Sequence, residues 1–159
     1  MEDRSFNIII RRGNTEELID LRHEILRTGL PRESAYFKGD DEPTTIHVVA
    51  ALDGKVVGCA TMLQRRWEHQ SAWQLRGMAV APSLRGTGIG GKLLNEIERL
   101  ADAQDFSNQF WANARVPAVK FYQDHGWTVV SEEFMIEHAG PHVKIKKRME
   151  PQVNTDQLR

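Results

Sequence analysis

Apolar positions recur along this chain in two periods, and the alternation between them lays out a mixed order of strands and helices. Ile8-Ile9-Ile10, within residues 6–11, is a β-branched run that reads as a first strand. Asn14 followed by Glu17 is a capping-box start, and Leu18, Leu21 and Ile25, widened by Ile19 and Leu26, make a helix face over residues 15–28 that closes near Gly29. Residues 30–44, with two prolines, suit a loop or a short irregular helix. Two β-rich runs, 45–52 and 55–63, flank Asp53-Gly54, a strong hairpin signal. A third run starts near Ser71, after a polar turn at Glu68-His69-Gln70, and continues through Trp73 and Leu75 to residue 81. Ile89, Leu93, Ile97 and Leu100 then fall at helical spacing, predicting a helix over 89–102. The aromatic segment 109–113 reads as a strand, expected to pair parallel to strand 71–81 through a right-handed crossover. A short helix follows, with Pro117 in its first turn, Ala118, Phe121 and Tyr122 on one face and Gly126 at its close. Residues 128–137 and 142–149 supply two more strands; Lys144 and Lys146 alternate with Val143 and Ile145, as on an edge strand with one wet face.

Composition narrows the class. At 159 residues the chain suits one domain over 1–150 with a polar tail at 151–159, long enough to bury a core without metal or disulfide staples. A net charge of −1 gives no drive toward nucleic acid or membrane surfaces. Cys59 is the single cysteine and sits in an apolar run, so an internal disulfide is excluded and burial is its expected fate. No apolar run reaches membrane length and the N-terminus shows no signal-peptide core, so a reducing, cytoplasmic setting is expected. No His, Cys and Asp cluster has metal-ligand spacing, and no metal is expected.

The candidate chemistry lies between the third strand run and the second helix. In Ala81-Pro82-Ser83-Leu84-Arg85-Gly86-Thr87-Gly88-Ile89-Gly90-Gly91-Lys92, proline stops the strand, glycines let main-chain N–H groups turn inward, and a helix N-terminus opens directly behind them. Free amides and the positive end of a helix dipole together make an anion site. A Walker A loop is excluded because position 93 is Leu where a Ser or Thr would hold magnesium. A dinucleotide fingerprint is excluded by the even spacing of the glycines at 86, 88 and 90.

Arg85-Gly86-Thr87-Gly88-Ile89-Gly90 resembles the acyl-CoA pyrophosphate loop of the GNAT superfamily of N-acetyltransferases, Arg/Gln-x-x-Gly-x-Gly/Ala. Ala118-x-x-Phe121-Tyr122-x-x-x-Gly126-Trp127 is similar to the family's second hallmark, which has an Asn where this chain has Arg115. The resemblance spans residues 6–149 and implies an α+β fold: a mixed sheet of about seven strands with three to four helices, splayed between strands four and five. It further implies acetyl-CoA as co-substrate, held by Arg85, Gly86, Thr87, Gly88, Ile89 and Gly90, by the main chain of Met78, Ala79 and Val80, and by Arg115 as a candidate.

By the same resemblance Tyr122 is the general acid, a sensible role for a phenol that is protonated at neutral pH. A primary amine acceptor, ammonium at pH 7, needs a base; Glu133 and His142 are the foremost candidates, with Glu68 and His69 behind them. Residues 26–44, 64–72 and 133–142 are expected to build the acceptor pocket, where Asp40-Asp41-Glu42 stands either as an attractor for a cationic amine or as a solvated charge run. The expected activity is acetyl transfer from acetyl-CoA to a primary amine of a small molecule or peptide, by direct attack in a ternary complex. The alternative is a non-catalytic acyl-CoA-binding sensor or interaction module; an RNA-modifying enzyme would need a basic stripe. Oligomeric state is not legible in the sequence, a homodimer included.

Overall fold

The computed structural model describes residues 7–150, so Phe6 and the polar tail at 151–159 lie outside the described residues. Eight strands occur in chain order: β1 (Ile8–Gly13), β2 (Ile46–Leu52), β3 (Lys55–Gln64), β4 (Trp73–Val80), β5 (Gln109–Arg115), β6 (Thr128–Val129), β7 (Phe134–Ile136) and β8 (Gly140–Arg148). Three α-helices join them: α1 (Thr15–Leu26), α2 (Ile89–Asp102) and α3 (Val119–Asp124), with 3-10 turns at Arg32–Ala35, Pro82–Leu84 and Val116–Ala118. Strand order in the single mixed sheet is β1-β2-β3-β4-β5-β8-β6, with β7 also on β8.

Local signals account for most of these boundaries. The Asn14 side chain accepts from the Glu17 N–H at 3.1 Å while Glu17 accepts from the Asn14 N–H at 3.1 Å, a complete capping box for α1. Asp53 and Gly54 both take positive φ, 49° and 85°, as the two-residue β2–β3 hairpin requires. The expected strand at 128–137 is two short strands instead. At the break, Ser131 Oγ accepts from the Lys144 N–H at 2.7 Å, a side chain doing what the ladder would otherwise do. The lysines of β8 are not on an edge: β8 lies between β5 and β6, and Lys144 Nζ reaches Asn113 Oδ1 at 3.0 Å.

Burial explains the layering. On β2, Val48 and Ala50 pack with α2 residues Ile89, Leu93, Leu94 and Ile97, whereas Val49 between them packs with Leu18 and Ile19 of α1. The strand is therefore covered on both faces, which is why it reads as a continuous apolar run. Cys59 lies in the α1 layer, fully buried, and burial pushes its thiol up to about 11. On the other face Glu98 of α2, also buried, accepts from Trp127 Nε1 at 3.1 Å and Lys147 Nζ at 2.5 Å, tying α2 to β8 and to the chain beyond α3. No helix among the described residues is long and apolar enough to cross a membrane.

Two irregularities in β4 shape the site. Its parallel pairing with β5 covers only Trp73↔Phe110, Gln74↔Trp111 and Leu75↔Ala112. Its pairing with β3 moves from Thr61↔Arg76 to Cys59↔Ala79, so Gly77 and Met78 together oppose Ala60 in a bulge. Gly77 holds φ at 63°, and a Cβ there would stand 3.0 Å from Arg22 Nε and 3.0 Å from the Phe37 ring.

A buried polar cluster ties α1, residues 36–45 and the sheet together. Arg22, with no solvent exposure, pairs with Asp40 (Nη1–Oδ2 2.7 Å, Nη2–Oδ1 3.2 Å) and donates to the Ala35 carbonyl and to Thr61 Oγ1. Asp40 also accepts from the Phe37 N–H at 2.7 Å. His47 Nε2 lies 2.9 Å from the Asp40 carbonyl, which only accepts, so Nε2 carries the proton and Nδ1 accepts from Thr61 Oγ1 at 2.8 Å. The acidic triplet is thereby explained without a ligand: Asp41 accepts from Thr15 Oγ1 and Glu42 pairs with Arg65.

Asp40→Ala leaves the Arg22 charge buried and unpaired, and is expected to lower unfolding free energy by about 3–5 kcal/mol in urea titration. Burial holds His47 below the ordinary imidazole value, against the partial support of Asp40. A base depressed in the folded state contributes stability that is full above its unfolded pKa of about 6.5 and is lost as pH falls through that value. The urea midpoint of the wild type is expected to fall between pH 7.5 and pH 5, and His47→Gln to flatten that fall.

Candidate active site

Where β4 and β5 part, two cavities open and meet. The larger, about 870 Å³, runs from the glycine loop to α3; the smaller, about 210 Å³, lies between the splayed strands beneath Phe37. Both are lined by Leu26, Met78, Arg115, Ala118 and Tyr122, which marks their junction.

The four glycines of the loop serve two different needs. Gly86 and Gly88 hold φ at 81° and 88°, and a Cβ on either would touch nothing within 4 Å, so the backbone conformation alone demands glycine. Gly90 and Gly91 have ordinary φ but allow α3 to approach: a Cβ would stand 3.3 Å from the Phe121 ring and 2.7 Å from His125 Nε2, respectively. Gly88 caps α2 without a side-chain hydrogen bond. The Ile89, Gly90 and Gly91 N–H groups at that first turn thus lack intrahelical acceptors. Arg85, Lys92 and Arg115 line this cavity and no carboxylate does. Past Leu75 the β5-facing edge of β4 has no strand partner, leaving main-chain groups of Met78 to Val80 along the cavity wall.

Tyr122 stands at the junction. Its hydroxyl lies 3.6 Å from Met78 Sδ, its ring packs edge-on against Trp127 at 5.8 Å, and burial pushes the phenol up to about 12. The group is therefore a proton donor throughout the neutral range. His142, buried, lines the smaller cavity; its Nδ1 lies 2.8 Å from the Gly140 carbonyl, which only accepts, so Nδ1 carries a proton.

Of the residues singled out from the sequence, Met78, Ala79, Val80, Arg85, Gly86, Gly88, Gly90, Arg115 and Tyr122 line the larger cavity, and His142 lines the smaller. Thr87 turns its hydroxyl to the Leu84 carbonyl, and Ile89 points its side chain into the core. Glu133 is exposed and lines neither cavity, and Glu68 and His69 sit at a hairpin tip that also lines neither. The 64–72 turn does not reach the smaller cavity; Gln74 and Arg76 of β4 take its place. Lys92, Asn95 and His125 also line the larger cavity without having been assigned a role from the sequence, although Lys92 and Asn95 lie three apart on the helix that opens at the loop. Among the described residues no group of three or more His, Cys, Asp or Glu could hold a metal ion.

Comparison with known proteins agrees with this geometry. The profile of the Acetyltransferase (GNAT) family matches residues 15–127. An uncharacterized N-acetyltransferase of Bacillus subtilis (strain 168), YitI, is 28% identical over 139 residues, spanning 86% of this chain and 93% of its own. YjcF of the same organism, likewise an uncharacterized N-acetyltransferase, is 29% identical over 140 residues, 84% of this chain and 94% of its own. The crystal structure of an aminoglycoside 6'-N-acetyltransferase complexed with coenzyme A superposes with a TM-score of 0.72 at 17% identity, over 92% of this chain and 99% of that one, a likeness of fold. On the match of the family profile over most of its length, the chain belongs to the GNAT family of acetyltransferases.

Proposed function

We propose that the protein transfers an acetyl group from acetyl-CoA to a primary amine by direct attack, the larger cavity taking the coenzyme and the smaller the amine. The observation that carries this reading is the placement of Tyr122, a protonated buried phenol, where the two cavities meet.

The Gly86–Gly91 amides, the N-terminus of α2, Arg85 and Lys92 hold the diphosphate. The unpaired edge of β4 binds the pantetheine arm by main-chain hydrogen bonds and leads the thioester toward Met78. Amides there polarise the carbonyl. The amine nitrogen forms its bond to the carbonyl carbon as the carbon–sulfur bond breaks, and Tyr122 donates its proton to the departing thiolate. His142, through Nε2, takes one proton from the ammonium so that the neutral amine can attack, and the second proton, shed by the nitrogen once it is bonded to carbon, restores the Tyr122 phenol. Glu133, exposed and away from both cavities, has no part in this scheme.

Tyr122→Phe is expected to lower kcat for thiol release from acetyl-CoA by about 10²-fold or more, the usual contribution of a general acid, while coenzyme A affinity by calorimetry is unchanged. Coenzyme binding without turnover on any amine would favour the sensor reading. Arg85→Glu, which opposes the diphosphate, is expected to weaken coenzyme A binding at least several-fold with the melting temperature of the free protein unchanged.

A further inference from the structure

The smaller cavity carries positive charge that the coenzyme does not explain. Arg27, Arg76 and Arg115 line it, and no aspartate or glutamate does. None of the three is in a salt bridge among the described residues, whereas Arg22 just behind them is neutralised by Asp40. Arg27, Arg76 and Arg22 all crowd one ring: their guanidinium carbons lie 4.8, 4.7 and 3.9 Å from the Phe37 centroid. The π-face eases this crowding but cancels no charge. Burial first, then repulsion from neighbouring arginines (Arg76 chiefly on Arg27, Arg22 chiefly on Arg76), lowers both from their ordinary values, and Asp40 offsets this only for Arg76.

The coenzyme's phosphates belong at the far end of the other cavity, against the glycine loop. Arg115 reaches both cavities, but Arg27 and Arg76 line only the smaller one. The Arg27 guanidinium donates one bond, to the Leu26 carbonyl, and the Arg76 guanidinium donates none among the described residues. Half-buried guanidiniums with unused donors are sites for an oxyanion.

Resting on the reading that this cavity takes the acceptor, we infer that the acceptor is a small amine bearing an oxyanion, a carboxylate or a phosphate, which Arg27 and Arg76 bind. A cavity of about 210 Å³ is below the span of drug-sized sites, in keeping with an amino acid or a molecule of similar size. Polycationic amines are excluded by the same charges that attract the anion.

The test reads binding separately from chemistry. With the protein saturated in coenzyme A, calorimetry compares N-acetylalanine with N-acetylalaninamide, and N-acetylethanolamine O-phosphate with N-acetylethanolamine. Each anion is expected to bind at least tenfold tighter than its uncharged counterpart; the tighter of the two anions assigns the oxyanion as carboxylate or phosphate. Arg76→Met and Arg27→Met, checked for folding by circular dichroism, are expected to shrink the preference to under threefold, with Arg76→Lys restoring part of it. Equal affinity within the pairs, failure of both anions to bind, or tighter binding of N-acetylspermidine overturns the inference. Turnover with the parent amines separates the two levels. Acetylation of uncharged or polycationic amines in preference to anionic ones sinks the inference and leaves acetyl transfer standing. Selective anion binding with no amine acetylated sinks the transferase reading and leaves the anion pocket.

Discussion

The parallel ladder between β4 and β5 is three residue pairs long, and both cavities open where it ends. A strand that loses its neighbour has main-chain donors and acceptors to satisfy, and here they face a cavity rather than another chain segment. The bulge at Gly77–Met78 falls at that point, and glycine suits it twice over: φ is positive, and a Cβ would press on Arg22 and Phe37. The Arg22–Asp40 pair holds Phe37 in place from the other side, through the Asp40 carboxylate on the Phe37 N–H. The divergence of two strands, one glycine and one buried ion pair are thus parts of one construction.

What was legible in the sequence is what local chemistry decides. The capping box of α1, the Asp53-Gly54 hairpin, and Gly126 closing α3 with φ at 90° each depend on a few consecutive residues, and the structure has them all. The glycine loop was legible for the same reason. Long-range pairing was legible only in part: the parallel pairing of β5 with β4 was expected, but the place of β8 within the sheet was not. Lys144 and Lys146 have the alternation of an edge strand, but β6 and β7 add on beyond β8 and put those lysines inside the sheet. Of the Asp40-Asp41-Glu42 run, Asp41 and Glu42 are exposed, as a solvated run should be, with Thr15 and Arg65 as partners; only Asp40 departs, buried on Arg22 from another element.

The site shows the same division. Gly86, Gly88 and Tyr122 announced themselves through spacing, whereas Arg27 and Arg76 belong to no motif and come together only through the crossing of α1, β4 and the 36–45 segment. Glu133, a sensible base on chemical grounds, sits on the stretch between β6 and β7 and faces water. Charge is apportioned accordingly: backbone amides with Arg85 and Lys92 at one end of the passage, and guanidiniums against the Phe37 ring at the other.

The meeting of the two cavities at Met78 and Tyr122 has a consequence for acyl-chain length. With the thioester at that junction, any methylene beyond acetyl has to lie in the small chamber beneath Phe37, the same space that admits the nucleophile. On the proposed placement of the thioester, lengthening the donor's tail shortens the largest acceptor that fits with it, and Met78, its thioether 3.6 Å from the Tyr122 hydroxyl, stands where the two chambers meet.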